Sequence, residues 1–184
     1  MMKKVEVVPH DRLWRDAFEA EAKHMAAALG AHVVAIHHIG STAIPGIYAK
    51  PVIDLLVEVD DIEAIDARGS AMESIGYQVM GEFGIPGRRY FRRDDRHGTR
   101  THQVHAFQAG SGEVVRHLAF RDYMIAHPAD AERYSELKRR LAEEYPWSMD
   151  GYVEGKDGFI REMDRRAAEW RSAHPADGLR GGPG

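Results

Sequence analysis

The chain has 184 residues, 43% of them hydrophobic and 29% charged, enough to bury one real core and too few for two comfortable domains. It contains no cysteine, which excludes disulfides, thiolate-bound metals and a cysteine nucleophile, and nothing argues for an oxidising compartment. Its net charge of -4 supplies no global field for a polyanion, so DNA and RNA are not expected as main partners, whereas a small phosphorylated ligand is compatible with it.

Residues 5–8 alternate and predict a short strand, followed by a turn at Pro9, His10 and Asp11 with Asp11 as a helix N-cap. Trp14, Phe18, Ala22, Met25 and Leu29 recur at helical spacing, and Gly30 stands where that helix would stop. Residues 33–39 are rich in β-branched side chains and predict a strand that breaks at Gly40-Ser41-Thr42, after which Pro45-Gly46 prevents a long helix. Residues 52–59 carry the strongest strand pattern, and residues 62–75 read as a helix closed by Gly76. Three more strands are expected at 77–80, 88–93 and 99–107, with turns at 84–87 and 94–98.

The second half changes to helical periodicity. One helix includes Val115, Leu118 and Ala119 and ends near His127, before Pro128; Tyr134, Leu137, Leu141 and Tyr145 mark a second. Tyr152, Lys156, Phe159, Ile160, Met163 and Ala167 lie along one face of a third, which sets Lys156 beside an apolar stripe. The closing residues, 173–184, have no periodicity and are expected to form a disordered tail behind a single domain spanning 1–172. The fold class is therefore α/β (α+β), a mixed β-sheet with flanking helices and a helical C-terminal half. No apolar run approaches the roughly 18 residues of a membrane span and no signal peptide is apparent, so a cytoplasmic chain with no membrane partner is expected. The oligomeric state is not legible.

The candidate site begins at the turn. A Gly-Ser-Thr segment after a strand can turn backbone N–H groups outward to hold an anion, and Ser41 and Thr42 add hydroxyl donors. Shortly afterwards Lys50-Pro51-Val52-Ile53-Asp54-Leu55-Leu56-Val57 forms an apolar strand interrupted by one acid. A lone carboxylate there is costly to bury, so Asp54 needs a metal, a donor or a cation, the last reading including a purely structural pair with Lys50 or an arginine. Alternation puts Val52, Asp54, Leu56 and Glu58 on one face, with Glu58 about 13 Å along the strand from Asp54, too far for both to hold one ion. On the strand predicted at 99–107, His102 and His105 face opposite sides; His105 is preferred for the site, against an ordinary sheet-surface histidine. Of the basic cluster Arg88, Arg89, Arg92, Arg93, Arg96 and Arg100, the residues Arg89 and Arg100 are the candidates for phosphate, and Arg92, Arg93 and Arg96 read as solvated edge protection. Lys50, Arg121, Lys138 and Lys156 are the remaining cationic candidates.

His38-Ile39-Gly40-Ser41-Thr42-Ala43-Ile44-Pro45-Gly46 followed by Ala49-Lys50-Pro51-Val52-Ile53-Asp54 closely resembles the signature of the GrpB family. The resemblance continues through Gly84-Ile85-Pro86-Gly87-Arg88-Arg89-Tyr90-Phe91, Arg100-Thr101-His102-Gln103-Val104-His105, Phe120-Arg121-Asp122-Tyr123 and Lys156 with Phe159-Ile160. It implies a nucleotidyltransferase-like fold, in which a Gly-Ser turn precedes a strand with two alternating acids and a third acid lies on a neighbouring strand. It also implies a nucleotide-dependent transferase that works with a nucleoside triphosphate and Mg²⁺ or Mn²⁺ on a small-molecule acceptor. On this implied plan Gly40, Ser41 and Thr42 cradle phosphate, Asp54 holds metal or acts as base, His105 assists or ligates the metal, and Lys50, Arg89, Arg100 and Lys156 neutralise charge. Asp54 matches the first acid, but Leu56 occupies the second position, the third strand offers His105 or His102, and His37 stands where an acid is expected. The alternative is a nucleotide- or phosphometabolite-binding protein without catalysis. Members fused to dephospho-CoA kinase place the resemblance near coenzyme metabolism by association.

Overall fold

The computed structural model describes residues 4–175. Helix α1 (Leu13–Leu29) opens at Arg12, one residue after the expected cap Asp11, whose carboxylate still accepts from the Leu13 N–H at 2.9 Å, and it stops at Gly30 with φ 72°. Strands β1 (Val33–Ile39) and β2 (Ile53–Val59) follow, separated by a single 3₁₀ turn at Ser41–Ala43. The helix expected over 62–75 is divided into a 3₁₀ segment, Glu63–Arg68, and a short α2, Gly69–Ser74. Gly69 falls at the division, and the Asp61 carboxylate accepts from the N–H groups of Glu63 and Ala64 at the start. Next come β3 (Gln78–Val79), β4 (Arg89–Asp94) and β5 (Arg100–Gln108), then α3 (Gly112–Ala126), α4 (Pro128–Glu144) and α5 (Met149–Ala173).

The five strands form one mixed sheet in the order β1-β2-β5-β4-β3. β2 and β5 run parallel at its centre, and the other neighbouring pairs are antiparallel. This is the mixed sheet with flanking helices that the sequence predicts. The strand expected at 5–8 is reduced to one bridge, Val8 with Ala49, while the Val5 N–H donates to the Pro146 carbonyl. That segment is held by the loop before β2 and by the end of α4, so it does not join the sheet. The end of the chain assigned to a disordered tail lies outside the described residues from 176 on; α5 itself continues to Ala173.

Alternation along β2 divides the molecule into two layers. Ile53, Leu55, Val57 and Val59 join Met25 and Leu29 of α1, Met72 of α2 and Phe91, Val104 and Ala106 in the main core. Leu56 turns the other way and packs with Ile39, Phe107 and Val114 under α3. Beyond it, α3, α4 and α5 pack on one another through Ala119, Tyr123, Tyr134, Met163 and Ala167, with Ile44 and Ile47 of the β1–β2 connection inserted. α4 and α5 approach closely at Gly155, where an added Cβ would lie 2.5 Å from a Leu141 methyl carbon. Among the described residues, no helix is long and apolar enough to cross a membrane.

Candidate functional site

The β1–β2 connection brings the chain back across the end of its own sheet. Gly40, at φ 74°, is required twice over: its backbone is left-handed, and a Cβ would lie 2.5 Å from Asp54 Oδ2. The glycine thus lets the turn lie directly against the carboxylate. Thr42 is buried, donating to the Val52 carbonyl at 3.3 Å and accepting from His38 Nε2 at 2.8 Å, which ties the turn to β2. Burial pushes the His38 pKa down to about 4, so it donates as a neutral ring. Its other support is Phe18 of α1, stacked at 4.8 Å. His38 and Thr42 therefore brace the turn from behind, and only Gly40 and Ser41 of the triplet reach the cavity in front of it.

That cavity, about 200 Å³, is lined by Gly40, Ser41, Lys50, Val52, Asp54, Gln103, Phe120, Tyr134, Tyr152 and Lys156. Three lysines converge on its tyrosine walls. Lys156 Nζ lies 4.5 Å and Lys50 Nζ 5.5 Å from the Tyr152 ring centre, and Lys138 Nζ lies 4.4 Å from that of Tyr134. Lys138 is only 1% exposed, and its ammonium has no hydrogen-bond partner among the described residues. Burial pushes Lys138 down to about 7, with Lys156 and Lys50 adding to the effect. Burial and then Lys50 push Lys156 down to about 8. Asp54 is the one carboxylate acting on Lys50 and Lys156 among the described residues. One acid thus acts on two of the three lysines and on Lys138 none does among the described residues.

Pairing across the parallel strands sets Gln103 opposite Asp54 and His105 opposite Leu56, so both lie on the face of the cavity. His105 Nε2 is 3.4 Å from Asp54 Oδ1, which brings together the two residues expected to carry the chemistry. Arg100 does not line the cavity; it is bound to Asp94 and lies 3.4 Å from the Tyr90 hydroxyl, and its charge reaches Lys50. Glu58 belongs to the far end of β2, where it is held by His37 at 2.7 Å and by the Gly110 N–H.

Arg89 does not join this group. It pairs with Ala106 on the core side of the sheet and makes two bonds to Asp66 there. His102 also faces that side, 3.0 Å from Arg93. Arg93, read as edge protection, turns inward and gives two 3.0 Å bonds to buried Glu21. Gln103, Tyr134, Tyr152, Phe120 and Arg88 escaped selection as site residues. Gln103 could have been found two residues before His105 on the same strand face, and Tyr152 four before Lys156 on one helix face.

A metal centre needs convergent ligands, and the residues present do not fit a resident one. Among the described residues no group of three or more His, Asp or Glu side chains is placed to hold a metal ion. Leu56, at the position of the second acid, is fully buried. A wider groove of about 750 Å³ between residues 4–7 and α4 shares no lining residue with the cavity.

The family model described as GrpB protein matches residues 4–166. The chain belongs to the GrpB family. It is 42% identical to UPF0157 protein YqkA of Bacillus subtilis over 92% of this chain, but spans only 49% of that relative's length. It is 32% identical to the glutamate-rich protein GrpB of Alkalihalophilus pseudofirmus over 87% of this chain and 94% of that one. The crystal structure of the conserved protein GrpB from Enterococcus faecalis superposes with a TM-score of 0.86 at 42% identity, covering 90% of this chain and 98% of that chain. A Mycolicibacterium paratuberculosis protein named dephospho-CoA kinase matches at 26% identity over 90% of this GrpB chain and 46% of its own length.

Proposed function

We propose that this GrpB protein binds the phosphate groups of a nucleotide-class ligand in the Gly40–Lys156 cavity and serves a group transfer to a small-molecule acceptor. The observation that carries the reading is the charge imbalance: Lys50, Lys138 and Lys156 surround two tyrosine rings with Asp54 as the one acid acting on any of them. Buried charge without a counterion is expensive, and an incoming phosphate would supply it. The cavity, about 200 Å³, is smaller than the roughly 300–1,000 Å³ of complete small-molecule sites. It suits the phosphates, with the remainder of the ligand at the mouth beside Met149, whose sulfur meets Lys50 Nζ at 3.4 Å.

In the transfer, Asp54 accepts the proton of an acceptor hydroxyl as its oxygen attacks the α-phosphorus of the triphosphate; the α–β phosphoanhydride bond breaks, and pyrophosphate leaves with the bonding electrons, its charge met by Lys50 and Lys156. Mg²⁺ or Mn²⁺ would arrive with the nucleotide and find one carboxylate here, so no step is assigned to it. The second reading, a binding protein without catalysis, is favoured by Leu56 at the position where a second acid alternates.

Calorimetry with a panel of nucleoside triphosphates and dephospho-CoA, with and without Mg²⁺ or Mn²⁺, tests the ligand. Binding that weakens in Lys156→Met supports it; no binding under any condition sinks both readings. Pyrophosphate release with mixed small-molecule acceptors separates the two. Release in wild type that disappears in Asp54→Ala supports transfer, and binding without release leaves the binding protein.

A further inference from the structure

Beside Asp54 the same sheet face holds a buried cation that phosphate binding does not use. Arg88 is 7% exposed and sits at the end of the glycine-rich connection between β3 and β4. Its Nε donates to the Glu82 carbonyl at 3.1 Å and its Nη2 to the Phe83 carbonyl at 2.8 Å. Its guanidinium lies over the Tyr90 ring at 4.8 Å, and Nη1 is 3.4 Å from His105 Nδ1. Phe83, whose carbonyl takes part, has φ 46°, the one positive φ outside glycine among the described residues. The connection thus holds backbone strain where it presents oxygen to Arg88.

A guanidinium has donors only. His105 Nδ1 must therefore accept, which leaves the ring proton on Nε2, the nitrogen 3.4 Å from Asp54 Oδ1. Both contacts are long for hydrogen bonds, and the direction of each follows from the chemistry of the guanidinium, not from length. The other groups around the ring do not reverse it. Tyr90 and His117 meet it ring to ring, at 5.3 and 6.0 Å.

We infer that Arg88 is a positioning residue that fixes His105 in its Nε2–H form and so makes it a donor to Asp54 Oδ1. Asp54 Oδ2 is left against Gly40 and the cavity. His105 then orients the carboxylate and does not compete with it for a proton. This orientation of Asp54 stands whether or not the cavity binds phosphate.

Long-range proton–nitrogen correlation spectra of protein labelled with ¹⁵N-histidine test it at neutral pH, with His105 assigned by the signals lost in His105→Gln. In wild type the Nε2–H pattern is expected, with Nδ1 showing the shift of an unprotonated nitrogen. Arg88→Met should move His105 to mixed tautomers, and Arg88→Lys, whose ammonium also only donates, should restore the wild-type pattern. Asp54→Asn should leave it unchanged, because Arg88 sets the form. A doubly protonated or Nδ1–H ring in wild type, or a wild-type pattern retained in Arg88→Met, overturns the assignment. Should Arg88→Met fail to fold, the wild-type and Asp54→Asn spectra decide: loss of the Nε2–H form in Asp54→Asn would show that Asp54, not Arg88, sets it.

Discussion

The two faces of the sheet treat buried charge in opposite ways. Under α1, Glu21 is 5% exposed and fully matched, taking two bonds from Arg93 and one from the Tyr77 hydroxyl at 2.9 Å. Burial pushes the Glu21 pKa up, but Tyr77, Arg93 and His102 together outweigh it and the net shift is downward. Under α4 and α5, Lys138 is still more deeply buried and has no hydrogen-bond partner among the described residues. Matched charge on one face serves the fold. Unmatched charge on the other is what the proposed phosphate ligand would neutralise.

Breaking the matched side should have the largest effect on stability. Glu21→Ala leaves Arg93 uncompensated and is expected to lower unfolding stability by about 3–5 kcal/mol, measured by urea denaturation, with nucleotide binding retained in the folded fraction. On the other face Gly40→Ala forces a Cβ against Asp54 in a left-handed backbone. It should lose about 1–3 kcal/mol and, unlike Glu21→Ala, abolish binding in calorimetry.

The comparison also has a pH signature. The folded Lys138 titrates at about 7 and Lys156 at about 8, both below the usual 10.5, so between these values the unfolded chain binds more protons than the folded one. Stability therefore rises with pH from about 7 to 9, by up to about 1.4 kcal/mol per pH unit for each group. The penalty is full and constant below the folded values. Lys138→Met should fold at least as well at pH 7 and flatten this slope, as read from urea denaturation at a series of pH values. The smallest effect is expected from Arg89→Ala. Its Asp66 partner is well exposed, so about 0.2–1 kcal/mol is at stake, with no change in nucleotide affinity.

Most elements of this architecture were legible because their patterns are long: α1 and α5 carry helical stripes, and β2 is apolar at every position but Asp54 and Glu58. The failures are short or depend on distant partners. Residues 5–8 have a strand pattern, but the Val8–Ala49 bridge is the pairing they find, away from the sheet. Within the site, alternation correctly separated His105 from His102 and Asp54 from its apolar neighbours. Alternation could not decide which of Arg88 and Arg89 faces the cavity side, since that depends on how β4 registers against β5. Lys138 lies four residues after Tyr134 on α4, so its position on the buried face was readable, whereas its lack of a hydrogen-bond partner was not. That required knowing what α5 and the β1–β2 connection bring to it.

The most direct test of the unmatched lysines is calorimetric titration of wild-type protein with a nucleoside triphosphate at pH 8, repeated in buffers of different ionisation enthalpy. Phosphate entering the cavity should draw protons onto Lys138 and Lys156, which titrate at about 7 and about 8. The expected result is net proton uptake on binding, reduced in Lys138→Met. Binding with no proton uptake, or no binding at all, would contradict the account.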